Sequence, residues 1–155
     1  MLKIVLAASP QDLAEAGMLF REYADGVGEP CCFASFEQEL AGLPGDYASP
    51  GGALLLARDG AQAAGCVALR RHDASRGEMK RLYVRDRYRG SGLGRRLAEE
   101  IIMESKRKRY ARLLLDTLPK MTGAIALYRA LGFRETGPYS EAPTPGAIFF
   151  ELRVS

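Results

Sequence analysis

Arg89-Gly90-Ser91-Gly92-Leu93-Gly94 lies between an apolar stretch and an amphipathic one, and the fold is read outward from it. Glycines at alternate positions let backbone N–H groups come close to whatever lies above them. Just upstream, Met79-Lys80-Arg81-Leu82-Tyr83-Val84 ends in strand-forming residues. Downstream, Leu93, Leu97 and Ile101 recur at helical spacing, so the loop opens into a helix N-terminus. Unpaired N–H groups and the positive end of the helix dipole favour an anion there. Strand, glycine loop and helix in this order read as a pyrophosphate cradle. The plainer alternative is a turn that lets strand and helix pack closely.

Two common phosphate templates do not fit. A P-loop needs Lys and Ser or Thr after its last glycine, but Arg95 and Arg96 follow Gly94. A dinucleotide fingerprint needs a glycine where Arg95 stands. Arg81, Arg85, Arg87, Arg89, Arg95 and Arg96 crowd this stretch, with Asp86 the only acid between Glu78 and Glu99. Such a basic collar suits a small polyanion; a solvated basic face is the alternative.

The chain has 155 residues, 47% hydrophobic and 26% charged, which predicts one soluble globular domain spanning 1–155. A net charge of +3 gives no global field that demands nucleic acid, and no aromatics interleave with Arg107-Lys108-Arg109. No nucleic acid is therefore expected, although steep salt dependence of binding would revive that reading. Met1 to Ala8 is too short for a signal peptide, and no run approaches the roughly 18–20 apolar residues of a membrane span. Cys31, Cys32 and Cys66 are odd in number, and His72 is the sole histidine. These features predict a reduced, cytoplasmic chain without a metal or a membrane partner.

Leu2 to Ala7 reads as a strand, and Ser9-Pro10-Gln11-Asp12 as a capped helix start continuing to about Gly26. Phe36 to Leu43 suggests a short helix. Ala53–Arg58 and Ala63–Arg70 form a hairpin around Asp59-Gly60, and Glu78 to Arg85 is the strand before the loop. A helix from Gly92 to Arg109, a buried strand at Arg112–Asp116 and a helix begun at Pro119 follow. The last helix carries Ala124, Leu127, Tyr128 and Leu131 on one stripe, with Gly132 as its stop. Thr136 to Pro145 is turn-rich and Ala147 to Val154 is a final strand. The order implies a mixed sheet flanked by helices.

Arg89 to Gly94 resembles the Gln/Arg-x-x-Gly-x-Gly/Ala signature of the GCN5-related N-acetyltransferase (GNAT) superfamily. Further along, Ala124 to Phe133 resembles that family's second block, which ends in Leu-Tyr-x-x-x-Gly-Phe. The resemblance runs from Glu78 to Phe133 and extends more loosely from Leu54 to the C-terminus. It implies an α/β (α+β) fold: a central mixed, mostly antiparallel twisted sheet of about six or seven strands with about four helices. It implies acetyl-CoA as cosubstrate and an amine-bearing acceptor, and it is compatible with a homodimer. A non-catalytic acyl-CoA-binding sensor or regulatory module is the alternative.

Carried onto this chain, the resemblance implies that Arg89, Gly90, Ser91, Gly92, Leu93, Gly94 and Arg95 hold the pyrophosphate. The backbone of Leu82 would polarise the thioester carbonyl and that of Val84 would hold the pantetheine arm. Tyr128 would protonate the departing thiolate; its alternative is a core tyrosine on an apolar stripe. A primary amine with a pKa of about 10.4 is mostly protonated near neutrality and needs a proton acceptor. Glu78 is the candidate, as base or as the group orienting a relay water; an exposed strand-end carboxylate paired with Lys80 or Arg81 is the plainer reading. Met121 stands where the family often has a pantetheine-binding asparagine, and Thr122 or Thr117 could substitute. Phe33, Phe36 and Tyr139 are candidates for the acceptor pocket, or for ordinary packing.

Overall fold

A computed structural model of the chain describes residues 1–28, 35–141 and 143–155. Its elements run β1 (Leu2–Leu6), α1 (Pro10–Val27), α2 (Phe36–Ala41), β2 (Ala53–Asp59), β3 (Gln62–Arg71), β4 (Arg76–Val84), α3 (Leu93–Arg107), β5 (Arg112–Thr117), α4 (Thr122–Ala130), β6 (Arg134–Thr136) and β7 (Ile148–Arg153). They build one sheet ordered β1-β2-β3-β4-β5-β7-β6. Every neighbouring pair is antiparallel except β4 and β5. The mixed, mostly antiparallel sheet with helices that the sequence implies is therefore the architecture.

Alternation along the strands divides the core. In β2, Leu54 and Leu56 join Leu19 and Phe20 of α1, while Leu55 and Ala57 join Leu97 and Ile101 of α3 on the opposite face. Leu97 and Ile101 are fully buried, and burying a leucine of this kind contributes about 1.5–3 kcal/mol. The start of α1 forms as read. Ser9 Oγ accepts the Asp12 N–H at 3.0 Å, and Asp12 accepts the Ser9 N–H in return.

Two irregularities in β4 create the site. It pairs with β5 only at Arg76↔Arg112, Gly77↔Leu113 and Glu78↔Leu114, after which the parallel strands part. On its other edge, Ala68 faces Lys80 but Cys66 faces Tyr83, so β4 carries one extra residue there. This is a β-bulge, and Arg81 adopts a left-handed φ of 60° within it. Lys80 and Arg81 consequently both line space shared with Tyr23 of α1, while Leu82 and Val84 pack toward α3.

Boundaries differ from the sequence reading in a few places. β4 begins at Arg76, two residues before Glu78, because the turn that precedes it is short. α2 stops at Ala41, where Gly42 closes it, and α4 begins at Thr122 instead of Pro119. β6 was not foreseen: Arg134-Glu135-Thr136 has no apolar alternation, and only pairing with β7 makes it a strand. Phe33, Cys31 and Cys32 lie outside the described residues.

Candidate active site

Gly90 and Gly92 have φ of 78° and 83°. A Cβ at either would meet nothing within 4 Å, so conformation and not space demands glycine there. Gly92 is the N-cap of α3 and offers no side-chain cap, and the first turn of α3 has no acid. Arg95 and Arg96 stand there instead, an arrangement that opposes the helix dipole unless an anion is present. Gly94 lies inside α3 and faces Val84 Cγ2 at 3.8 Å and Leu127 Cδ2 at 3.9 Å. Gly92→Ala is expected to lower stability by about 1–2 kcal/mol through its left-handed backbone. Gly94→Ala should instead leave the melting temperature level or raise it, since alanine favours a helix interior; thermal unfolding of both variants checks the contrast.

A cleft of about 740 Å³ runs from this loop between β4 and α4. Leu82, Val84, Arg89 and Gly94 line one wall, Thr122, Ala124 and Leu127 the other, and Glu22 and Tyr23 of α1 close one side. Of the residues named from the sequence, Gly90, Ser91 and Gly92 occupy the exposed loop joining Arg89 to this wall. Leu93 is buried beneath it, and Arg95 is exposed, 3.7 Å from Glu99. Leu82 has no register partner on either edge of β4 and lines the cleft. The Val84 carbonyl accepts a hydrogen bond from Arg89 Nε at 2.9 Å.

Only part of the basic collar stays at the loop, where Arg89 lines the cleft and Arg95 and Arg96 lie exposed in the first turn of α3. Arg81 pairs with Glu39, Arg85 with Glu22 and Arg89 with Asp86. Arg87 donates to Gln62. The bulge turns Arg81 away to α2, and Arg85 turns to α1. Met121 precedes α4 in the cleft wall and receives the Thr117 hydroxyl at 3.5 Å. Of the two threonines weighed, only Thr122 lines the cleft.

Where β4 leaves β5, two small cavities of about 50 and 30 Å³ share Tyr23, Lys80, Arg81 and Asp116 as walls. The smaller one also touches Leu82 and Tyr128. Tyr128 is 6% exposed and packs edge-on against Phe133. Burial, reinforced by nearby Tyr23 and Asp116, pushes its phenol well above the usual range, so it keeps its proton.

Glu78 is buried, not an exposed strand end as one reading had it. Arg70 Nε donates to its Oε1 at 2.8 Å, and the Tyr139 hydroxyl donates to its Oε2 at 2.6 Å. Lys80 Nζ lies 3.9 Å away, while Arg81 turns to Glu39. Burial alone would raise the Glu78 pKa. The charges of Lys80 and Arg70 with the hydrogen bonds of Tyr139 and Arg70 outweigh it, holding the carboxyl below its ordinary value. Tyr139 thus reaches the site through Glu78, with its ring edge-on to Phe149 and His72. Phe36 is buried beneath the Arg81 guanidinium, 5.6 Å from its ring centre. Glu39, Arg70 and Asp116 were not singled out from the sequence, and Lys80 entered only as a partner for Glu78. Alternation from Glu78 places Lys80 beside it; the others come from distant elements.

Residues 16–133 match the acetyltransferase (GNAT) family. Over 148 residues the chain is 40% identical to an uncharacterized N-acetyltransferase of Schizosaccharomyces pombe, covering 94% of this chain and 91% of that one. A GNAT-family acetyltransferase from Staphylococcus aureus superposes with a TM-score of 0.82 at 21% identity, over 100% of both chains. A Salmonella typhimurium acetyltransferase, solved with acetyl-CoA, does so with a TM-score of 0.70 at 18% identity, over 99% of this chain and 94% of that one. The chain belongs to the GNAT acetyltransferase family and is an acyltransferase. Among the described residues, no helix is long and apolar enough to cross a membrane.

Proposed function

We propose that the protein transfers an acetyl group from acetyl-CoA to a primary amine by direct attack. The observation that carries this reading is the parting of β4 from β5 after Glu78 and Leu114, beside which Leu82 and Tyr128 line one small cavity. The uncapped start of α3 would take the pyrophosphate, and the β4–α4 cleft the pantetheine arm. The Leu82 N–H would donate to the carbonyl oxygen as negative charge develops on it. As the amine nitrogen bonds to the carbonyl carbon, the carbon–sulfur bond breaks. The amine proton passes through water toward the Glu78 carboxylate, and the thiolate takes a proton from Tyr128.

Glu78 acts at one remove, because both its oxygens already accept hydrogen bonds and it lies behind Lys80. Its depressed pKa fixes the pH behaviour. A carboxylate held below its ordinary value stays ionised above it, so its contributions to activity and stability are lost only as pH falls below about 4.5. From about pH 6 to 9 the rate should climb with the fraction of neutral amine, whose pKa is about 10.4. Measured kcat/KM profiles check this, and an acid limb near pH 7 that disappears in Glu78→Gln would overturn it. The function itself is tested by thiol release from acetyl-CoA with a broad amine panel, together with calorimetry of acetyl-CoA binding. Absence of both binding and release would remove the reading.

A further inference from the structure

We infer that the amine acceptor is a small aminocarboxylate, a free amino acid in the broad chemical sense. Its carboxylate would be taken by Lys80 and its amino group by Asp116. This deepens the proposed acetyl transfer and rests on it.

The two cavities at the parting of β4 and β5 are where an acceptor can meet Leu82 and Tyr128. Their volumes, about 50 and 30 Å³, hold only a few water-sized groups each. That is room at the parting itself for an amino group, a carbon or two and a carboxylate. Charge then narrows the chemistry. Lys80, whose side chain is 14% exposed, stands 3.7 Å from Asp116 and 3.9 Å from Glu78. Both separations exceed a hydrogen bond. Among the described residues, neither Lys80 Nζ nor the Asp116 carboxylate makes a hydrogen bond; every other cation near them does. Arg70 is engaged by Glu78 and Arg81 by Glu39 through two bonds of 2.9 and 2.7 Å.

Lys80 Nζ and the Asp116 carboxylate, with side chains 14% and 28% exposed, remain reachable from these cavities, and each keeps hydrogen-bonding capacity for a ligand. A zwitterion laid across the pair completes both, carboxylate oxygens receiving Lys80 N–H groups and the amine donating to Asp116. Both cavities touch Lys80 and Asp116, and the smaller one also touches Leu82 and Tyr128, so a zwitterion held by the pair lies beside the proposed thioester position. A polyamine fits the same walls badly, since its further charge would meet Lys80 and Arg81.

The test uses the whole protein with the common L-amino acids, their carboxamides, spermidine and short peptides with free N-termini. Thiol release from acetyl-CoA is followed, and binding of each acceptor is measured by calorimetry in the presence of CoA. The expected result is at least one amino acid whose kcat/KM exceeds that of its carboxamide by about 100-fold. Lys80→Met should erase that preference by raising KM for the acid and not for the amide. Asp116→Asn should weaken binding of both. Comparison of acid with amide on the unaltered protein keeps the test valid if a variant fails to fold. Preferred turnover of spermidine, amides or peptides overturns the inference while leaving acetyl transfer intact. Amino-acid binding without turnover supports the acceptor site and removes the transfer reading. Acetyl-CoA binding with no amino acid bound or turned over overturns the inference.

Discussion

Tyr128→Phe is expected to lower kcat by about 100-fold or more, within the range general acid catalysis supplies, while the KM for acetyl-CoA stays nearly level. The ring that packs against Phe133 and Phe150 is retained, so the fold should be unaffected. Only a hydroxyl beside Leu82 and Asp116 is removed. Burial raises the phenol's pKa, and the same dry surroundings raise that of any thiolate formed there, so the proton transfer is not lost to the mismatch. Because the phenol stays protonated, its titration should add no alkaline limb to the wild-type profile up to about pH 9. Steady-state thiol release against a responsive acceptor measures the effect. An unchanged kcat would mean that the tyrosine serves the core alone.

Glu39→Ala should be the most damaging single substitution for stability among the surface-connected charges. Arg81 is 8% exposed on its side chain, holds a φ of 60° and gives two hydrogen bonds to Glu39. Tyr47 donates to the same carboxylate at 3.0 Å. Removing Glu39 takes two charge-assisted hydrogen bonds from a buried guanidinium, at a cost of about 3–5 kcal/mol, or a fall in Tm on the order of 10 °C for a chain of this size. Urea unfolding and calorimetric Tm would read it. The Arg21–Glu37 pair provides the contrast: it is exposed, and Glu37→Ala should leave Tm unchanged. Replacing the buried pair together by Arg81→Gly and Glu39→Leu should recover most of the loss, since glycine accepts the left-handed backbone. Failure of that recovery would show that the strain in the bulge depends on the ion pair.

Most of the fold was legible along the chain because its signals are local. Ser9 with Asp12 marks a capping box, Leu93, Leu97 and Ile101 mark a helical stripe, and Leu113 to Leu115 mark a buried strand. Tyr128 and the loop from Arg89 to Gly94 stood out through their resemblance to two family blocks. Arg70, Glu39 and Asp116 could not be found that way. Each meets the site through a different partner strand or helix, and no local pattern encodes which residues lie opposite one another. Arg81 misled for the same reason: adjacent to the loop in sequence, it turns to α2 at a bulge.

The amino-acid order by itself determined the strand–loop–helix unit, the apolar stripes and the glycines at Gly90 and Gly92, since each depends on neighbours a few residues away. Tertiary structure alone decided that β4 leaves β5 after Glu78, that Glu78 is buried against Arg70 and Tyr139, and that Lys80 and Asp116 face one cavity. The physical reason is register. A bulge of one residue reassigns every later side chain in β4 to the opposite face, and that shift is set by pairing across the sheet, not by the strand's own sequence.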